Sequence, residues 1–364
     1  MRQSRTPLAS DAPPQVIRFC RGADEVRLAY AAHGSGPPLL VVSCWLSHLH
    51  HDWLSPVWRH FLDDLGRVTT LIRYDERGFG LSDWSVTDFS LGARLADLEA
   101  VVATLGLDRI SLLGMSGGAP VAMAFAAAHP QLVDKLIVYG GSPIGTHNPT
   151  PTERELAFRA MIRAGWAQED PLFRRVFTTI FIPDASEEQM GWFDELQRMS
   201  TSTENAVQSR LARQQVQLTD QLPRISAPTL VLHARQDRAV PFEDARLTAS
   251  LIPNARLVPL ESKNHILLAD EPAWSVFMEE TAAFMGTAHS SAATADGLQE
   301  LTARERQVLL HAAEGSSNAE IADALYLSVR TVERHLSNAY LKLGISGRSA
   351  RTAAVASMLR NDVA

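Results

Sequence analysis

The sequence Gly-Met-Ser-Gly-Gly at residues 114–118 constrains the fold of this chain more than any other stretch. Apolar residues precede it at Ile110, Leu112 and Leu113, and a small-residue pattern typical of a helix follows at 119–129. Strand, sharp turn and helix in that order form the context that a G-x-S-x-G nucleophile turn requires. The glycines leave room against neighbouring backbone, and the turn lifts the serine hydroxyl beside the free N–H groups of a helix start. The motif alone fits an ordinary strand–loop–helix junction equally well.

The length of the chain, 364 residues, exceeds the size at which a single hydrophobic core stops growing, so we expect two domains. In the first, short apolar strands alternate with helical segments on both sides of the serine turn. This alternation predicts the α/β class, with a doubly wound and mostly parallel sheet. The predicted elements are a hairpin at 16–31, strands at 39–43, 68–74, 136–139, 229–233 and 256–260, and helices at 53–65, 91–105, 242–251 and 271–284.

A helical insertion interrupts this alternation between Ser142 and Leu222. Helices are predicted there at 152–165, 171–180, 186–199 and 204–218, without a convincing strand. Because the insertion leaves the sheet at the carboxyl end of a strand, it covers the crevice where such folds bind ligands, and we interpret about 143–222 as a lid. Most of its aromatic residues should form helix core, but some must face the pocket and make it apolar. The candidate pocket residues are Trp45, Met115, Trp166, Phe177, Phe181 and Trp192.

The composition indicates a cytoplasmic protein. Cys20 and Cys44 have the spacing of neither a disulfide framework nor a metal site and are typical of free thiols in a reducing compartment. Residues 1–14 hold three prolines but no apolar signal-peptide core, and they predict a flexible N terminus. Since no apolar run approaches the length of a membrane span, we expect no membrane contact.

Three histidines, His48, His50 and His51, lie within four positions. A metal site would need further carboxylate or thiolate ligands, and only Asp52 is nearby. We therefore favour a structural role for these histidines and predict neither a metal nor a cofactor.

Candidate partners for Ser116 follow it in the chain. A serine alkoxide needs a base, and the base needs an acid that holds its tautomer. Asp237 lies in a tight loop after the predicted strand at 229–233, and His265 lies in the loop after the strand at 256–260. Each of the three groups lies just beyond a different predicted strand, in the order Ser, Asp, His. This combination arises by chance far less often than any single one of the groups.

On these residues, the stretch from about 15 to 285 resembles the α/β-hydrolase superfamily. Further support comes from Tyr-Asp-Glu-Arg-Gly-Phe-Gly-Leu-Ser at 74–82, which is similar to the D-x-R-G-x-G-x-S turn of its esterase and perhydrolase-like branch. The resemblance implies that Ser116 is the nucleophile, His265 the general base and Asp237 the acid that orients it.

The oxyanion loop departs from that family pattern. The family usually has His-Gly after its third strand, whereas this chain has Ser-Cys-Trp at 43–45. The donors in an oxyanion hole are main-chain N–H groups, so those of Trp45 and Gly117 remain the expected ones. Without the glycine the loop can adopt another shape, and whether the domain is an enzyme stays open at this point.

A small, polar stretch at 287–298 without periodicity is interpreted as a linker between a domain at 15–286 and a second at 299–364. The second domain carries a formal charge of +1 against −8 for the rest of the chain, so it lacks the acidic bias. Three amphipathic helices are predicted in it, from Thr302 to about Ala313, from Asn318 through Leu325 and from Ser328 to Leu343.

The third of these helices has two distinct faces. Its inward face is predicted to hold Val332, Leu336, Ala339 and Leu343, and its outward face Arg330, Arg334, Ser337, Asn338 and Leu341. A polar face with two arginines, on a helix that follows another helix and a short turn, is what helix-turn-helix readout of a major groove needs.

The stretches 301–309, 318–322, 328–336 and 342–344 are similar to the LuxR-type helix-turn-helix domain, and the resemblance covers about 299–360. It implies base contacts from Glu333, Arg334 and Ser337, and phosphate contacts from Thr331, His335 and Lys342. Arg304 and Glu320 are assigned instead to holding the helices together. For Glu333, a solvated residue that balances the two arginines is an equally good interpretation.

The two resemblances together predict a one-component transcription regulator that binds double-stranded DNA and a small apolar ligand of ester or lactone type. We expect a homodimer, because one short recognition helix contacts too few base pairs for specific binding. Three alternatives stay open for the hydrolase-like domain. It is a receptor without turnover, a serine hydrolase (carboxylesterase or lactonase) whose reaction sets or removes the signal, or a metabolic esterase whose C-terminal helices serve another partner.

Overall fold

The computed structural model describes residues 15–145, 152–287, 301–313 and 315–342. The chain forms two compact units, Met1–Thr287 and Ala288–Ala364. The predicted flexible N terminus at 1–14, the predicted linker beyond Thr287 and all residues after Lys342 lie outside the described residues.

Eight strands form one sheet in the first unit: β1 (Val16–Arg21), β2 (Arg27–Gly34), β3 (Pro38–Val42), β4 (Thr70–Tyr74), β5 (Ile110–Met115), β6 (Val133–Tyr139), β7 (Thr229–Ala234) and β8 (Ala255–Leu260). Their order is β1-β2-β4-β3-β5-β6-β7-β8. β2 pairs antiparallel with β1 and β4, and every other pair is parallel. The predicted α/β class with a mostly parallel sheet is confirmed.

The described residues of this unit form ten α-helices: α1 (Leu49–Trp53), α2 (Arg59–Val68), α3 (Leu91–Leu105), α4 (Ala119–Ala128), α5 (Glu153–Gly165), α6 (Leu172–Phe181), α7 (Glu187–Ser200), α8 (Thr203–Gln214), α9 (Phe242–Leu251) and α10 (Pro272–Met285). Helices α5 to α8 make up the insertion between β6 and β7. The starts of α5 and α7 are set by side-chain caps, Thr152 and Ser186, each of which forms a capping box with the residue three positions later.

Both faces of the sheet are covered. Leu39 and Val41 of β3 belong to one apolar core, and Leu40 and Val42 belong to the core on the other side. Alternate residues of a strand point to opposite faces, so a strand buried on both sides must be continuously apolar. This explains why β3 carries a run of apolar residues rather than an alternating pattern.

The helix predicted at 53–65 was wrong in its bounds, because two helices occupy this region. Pro56 disfavours helical backbone at the residue before it, which separates α1 from α2. Helix α1 starts early because two side-chain hydrogen bonds stabilise its first turn. The His48 ring accepts from the N–H of His51, and the Asp52 carboxylate accepts from the His48 N–H at 3.2 Å.

The last helix of the insertion is shorter than predicted, since α8 ends at Gln214 and not at Leu218. Gln217 instead forms an isolated antiparallel bridge with Ile144. The N–H of Leu218 donates to the carbonyl of Pro143, and Leu218 itself is buried. The extended backbone therefore ties the two ends of the insertion together, a role that a helical pattern did not reveal.

The second unit contains α11 (Ala303–Ala313), α12 (Asn318–Ala324) and α13 (Val329–Lys342) around an apolar core that includes Val308, Ile321 and Val332. Asn318 was predicted to cap α12, but the cap is Ser317, which forms a capping box with Glu320. Among the described residues of the whole chain, no helix is long and apolar enough to cross a membrane.

Candidate active site and DNA-binding face

Ser116 lies in the tight turn between β5 and α4, with a φ of 49° in the left-handed region that residues other than glycine rarely adopt. A Cβ on Gly114 would lie 2.8 Å from the backbone of α4. A Cβ on Gly118 would lie 2.2 Å from the carbonyl oxygens of Val42 and Ser43. Both glycines are therefore required by close packing, and the turn presents the Ser116 hydroxyl at the edge of the sheet.

Ser116, His265 and Asp237 form a continuous hydrogen-bonded chain. His265 Nε2 lies 2.7 Å from Ser116 Oγ, and His265 Nδ1 lies 2.6 Å from Asp237 Oδ2. The three residues follow β5, β8 and β7, whose carboxyl ends meet at one edge of the sheet. With Asp237 ionised, Nδ1 carries the proton and Nε2 can accept the proton of the serine hydroxyl.

The local turn keeps Asp237 ionised. Its Oδ1 accepts from the N–H groups of Ala239 at 2.7 Å and Val240 at 3.1 Å. Burial opposes the charge, but the neighbouring His265 and hydrogen bonds from His233, His265 and the Val240 N–H hold the pKa of Asp237 well below its usual range. The carboxylate is therefore charged at neutral pH and can stabilise an imidazolium on His265.

Two contacts fix the loop that carries His265. The Tyr139 hydroxyl donates to the His265 carbonyl at 2.7 Å. The His265 N–H donates to the carbonyl of Phe181, the last residue of α6, at 2.8 Å. The candidate base is thus held both by the sheet and by the helical insertion.

The predicted oxyanion donors lie next to each other. A Cβ on Gly117 would lie 3.4 Å from the backbone nitrogen of Trp45. The Trp45 indole N–H donates to Ser209 Oγ of α8 at 3.1 Å, which anchors the loop that lacks the family glycine. The oxyanion role of Trp45 and Gly117 stays a prediction. Burial raises the pKa of the adjacent Cys44 thiol to about 12, so this thiol remains protonated and is not a competing nucleophile.

A buried ion-pair network behind the turn was not anticipated from the sequence. Glu76 accepts from Arg94 at 2.7 Å and from Arg213 of α8 at 2.6 Å. Burial opposes ionisation, but the two guanidinium groups hold the pKa of Glu76 below its usual value. Arg94 also donates to the Gly117 carbonyl at 2.6 Å, so the network connects the insertion to the serine turn. Its only signal in the sequence was the 74–82 motif that contains Glu76.

A cavity with about 260 Å³ of empty space adjoins the triad. Its lining includes Ser116, His265, and two of the predicted pocket residues, Trp45 and Phe181. The other lining residues are Cys44, Leu46, Trp58, Phe193 and Ile266. A pocket wall of aromatic and aliphatic side chains favours a largely apolar ligand.

The other predicted pocket residues lie elsewhere. Met115 lines a second cavity next to this one. Trp166 and Phe177 do not line either cavity, because they are fully buried between helices of the insertion, where the Trp166 indole N–H donates to the Thr201 carbonyl. Trp192 is half-buried and packs on the ring of His51 at 4.3 Å. Trp166 and Phe177 form helix core and pack against Trp45, which lines the pocket.

The histidines at 48, 50 and 51 show no arrangement for a metal. His48 acts as the cap of α1, and His51 packs against the insertion. Within the described part of the chain, no group of three or more His, Cys, Asp or Glu side chains could hold a metal ion.

The outward face of α13 is polar and exposed. Its exposed residues are Arg330, Glu333, Arg334, Ser337 and Asn338, whereas Val332, Leu336 and Ala339 are buried as predicted. The side chain of Leu341 and the whole of Leu343 lie outside what the structure describes. Thr331 and His335 are half-buried at the edge of this face.

Lys342 has a different environment from the one predicted. Its Nζ lies 2.7 Å from Glu305 Oε2, and the Glu305 side chain is 5 % exposed. This ion pair joins α13 to α11 and engages the ammonium group within the domain. The phosphate contact of Lys342 stays a prediction. Arg304 does hold helices together, since it donates to the Leu325 carbonyl at 2.6 Å. Glu320 stabilises only the start of its own helix.

Comparisons with known proteins agree with both parts of the structure. Residues 37–272 match the family model described as alpha/beta hydrolase fold. Residues 299–355 match the model for bacterial regulatory proteins of the luxR family.

Similar proteins cover the first unit. A 2-hydroxy-6-oxononadienedioate/2-hydroxy-6-oxononatrienedioate hydrolase of Paraburkholderia phymatum is 31% identical over 261 residues, which are 67% of this chain and 86% of that protein. The AB hydrolase superfamily protein YisY of Bacillus subtilis is 28% identical over 68% of this chain and 91% of its own. An esterase structure from Exiguobacterium antarcticum has a TM-score of 0.61 and 25% identity, covering 74% of this chain and 98% of the esterase.

Proposed function

We propose that this chain, which belongs to the alpha/beta hydrolase fold family and carries a luxR-type DNA-binding domain, is a transcriptional regulator that responds to a small ligand. The observation that carries the proposal is a complete Ser116–His265–Asp237 chain beside an apolar cavity, in the same polypeptide as a helix-turn-helix domain. The cavity holds the signal, and the DNA-binding domain reports its presence.

The chemistry of the cavity favours an ester or a lactone as the ligand. The Ser116 hydroxyl and the adjacent N–H groups of Trp45 and Gly117 are suited to a carbonyl group, whose oxygen they can polarise. The surrounding wall is apolar, with Phe181, Phe193 and Trp58 among its residues. A compound with one polarised carbonyl and an apolar body matches both properties.

Serine hydrolysis is the second candidate function, and the 2.7 Å contact between Ser116 and His265 favours it. In this reaction Ser116 Oγ attacks the carbonyl carbon while His265 Nε2 takes the hydroxyl proton. The tetrahedral oxyanion accepts hydrogen bonds from Trp45 and Gly117, and His265 then gives the proton to the leaving alcohol oxygen. Water, deprotonated by His265, cleaves the acyl-enzyme and restores Ser116. Turnover of this kind would set or remove the regulatory signal.

The DNA-binding part of the proposal rests on the outward face of α13. Arg330 and Arg334 are both exposed there, and no described carboxylate forms an ion pair with either. Guanidinium groups on an exposed helix face can read base edges or contact phosphates in a major groove. One such helix covers few base pairs, so the regulator is proposed to bind a two-fold site as a homodimer.

One experiment separates the receptor from the hydrolase. Full-length wild type and Ser116→Ala are compared for cleavage of p-nitrophenyl butyrate, and for binding to a fragment of the protein's own promoter with and without that ester. Cleavage by the wild type alone establishes the hydrolase. Equal, background-level cleavage with an ester-dependent change in DNA affinity establishes the receptor. Promoter binding that is absent, or unchanged by the ester and by γ-lactones, would contradict the regulator proposal.

A further inference from the structure

A second cavity lies between the sheet and α2, with about 420 Å³ of empty space. Most of its wall is apolar and comes from β3, β4 and α2, including Val41, Leu71 and Leu62. Cys44, Leu46 and Trp58 line this cavity and also the cavity at Ser116. The two spaces therefore adjoin and share one wall.

Three polar side chains of the second cavity each have a polar atom without a hydrogen-bond partner among the described residues. These atoms are Asp52 Oδ1, Arg73 Nε and Trp58 Nε1. Each of the three residues is more than nine-tenths buried, since Asp52 is 7% exposed, Arg73 5% and Trp58 8%. Native proteins leave few buried polar groups unsatisfied, because each loses its hydrogen bonds to water without a replacement. Three of them around one space indicate a missing polar occupant.

The remaining bonds of these residues hold them in place. Asp52 Oδ2 accepts from the His48 N–H at 3.2 Å and lies 3.9 Å from Arg73 Nη1. Arg73 Nη2 donates to Gln15 Oε1 at 2.7 Å. The carboxylate and the guanidinium are thus fixed by other contacts, and each keeps one atom without a hydrogen-bond partner.

The spare atoms match the bonding pattern of a hydroxyl group. A hydroxyl has one O–H donor and two acceptor lone pairs. The cavity supplies one acceptor, Asp52 Oδ1, and two N–H donors, from Arg73 and Trp58. Burial raises the pKa of Asp52 to about 7 despite Arg73, because this position disfavours a buried negative charge, and a ligand carboxylate there would meet the same cost. A neutral hydroxyl therefore suits the site better than a carboxylate.

We propose that this cavity binds a terminal hydroxyl group of the ligand whose carbonyl lies at Ser116. The inference rests on the proposed function, since it presumes an ester or lactone in the adjoining cavity. It narrows the ligand class to esters or lactones with an apolar chain that ends in a hydroxyl group. Asp52, Arg73 and Trp58 are the specificity-determining residues.

A ligand series tests the proposal in the full-length Ser116→Ala protein, which removes turnover. Methyl esters of straight-chain C6 to C9 acids are titrated in unsubstituted and ω-hydroxy forms, with the fluorescence of the tryptophans at the cavities as the readout. At the chain length that reaches from Ser116 to Asp52, the ω-hydroxy ester should bind about fivefold or more tightly than the unsubstituted ester. The same preference should disappear or reverse in Asp52→Leu.

Asp63→Leu is the matched control, because Asp63 is an acidic residue of α2 that does not line the cavity. It should keep the hydroxyl preference. If the esters bind but the two forms bind equally at every length, the cavity holds only water and the inference is overturned while the proposed function stands. If no ester binds, both the inference and the proposed function are refuted. If thermal unfolding shows that Asp52→Leu does not fold, the inference is tested by the Ser116→Ala protein alone, through its relative affinity for the ω-hydroxy and the unsubstituted ester.

Discussion

Replacing Asp237 with asparagine should trap His265 in the tautomer that cannot act as a base. Asp237 Oδ1 accepts two backbone N–H groups, from Ala239 and Val240. The amide NH2 of an asparagine cannot occupy that position, so its carbonyl oxygen must lie there and its NH2 must face His265 Nδ1. Nδ1 then becomes an acceptor, and the ring proton moves to Nε2, which faces Ser116.

The expected loss follows from this change of tautomer. A protonated Nε2 cannot take the Ser116 proton, and an inverted tautomer of this kind costs about 10⁴-fold in kcat. At about 1.36 kcal/mol per tenfold, the barrier rises by about 5.4 kcal/mol. Asp237→Ala should lose a similar factor for another reason, namely a missing partner for the imidazolium, so the rate alone does not identify the cause.

The assay therefore combines rate and tautomer. Hydrolysis of p-nitrophenyl butyrate gives kcat, and ¹⁵N NMR of histidine-labelled protein, assigned with His265→Gln, gives the position of the ring proton. We expect the proton on Nδ1 in the wild type, on Nε2 in Asp237→Asn and on either nitrogen in Asp237→Ala. An Nδ1 proton in the asparagine variant, or a rate within tenfold of the wild type, would refute the reasoning. The NMR result stands even if the wild type does not turn over.

Three further predictions concern the two units. Arg334→Ala should weaken binding to the promoter fragment by about 1–3 kcal/mol in a fluorescence anisotropy titration, because an exposed arginine of α13 is lost; unchanged affinity would contradict its role. Lys342→Gln should leave the salt dependence of that binding unchanged, since Lys342 pairs with Glu305, whereas two phosphate contacts in a dimer would reduce the slope by about 1.8. The pKa of Asp237 is lower in the folded protein than its usual value of about 4, so its stabilising contribution is present above that pH and is lost as the pH falls through the folded pKa. Thermal unfolding from pH 7 to 3 should therefore show a steeper decline in the wild type than in Asp237→Asn, and parallel curves would count against a depressed pKa.

Features that depend on local chain order were predictable from the sequence. The order of Ser116, Asp237 and His265 after successive strands follows from the chain, and a parallel sheet brings its strand ends together. Helix bounds such as Leu91–Leu105 follow from a serine cap at one end and a glycine in the left-handed region at the other. Each triad residue is marked by the strand and loop next to it, and each helix end is marked by its own cap residue.

Contacts between distant residues that no motif marks were not predictable from one sequence. Lys342 and Glu305 are 37 positions apart, and the basic residue fits a phosphate contact as well as an ion pair. Glu76 and Arg213 are 137 positions apart and show no pattern that joins them. The aromatic residues of the insertion were ambiguous for the same reason. Helical spacing places Trp166 and Phe177 on faces, but only packing decides which face meets the pocket.

The hydrogen bond from the His265 N–H to the Phe181 carbonyl links the wall of the cavity to the position of the candidate base. If α6 moves away to admit or release a ligand, it takes with it a support of the base, and Phe181 also leaves the cavity wall. The position of α6 is therefore coupled both to the shape of the cavity and to the orientation of His265.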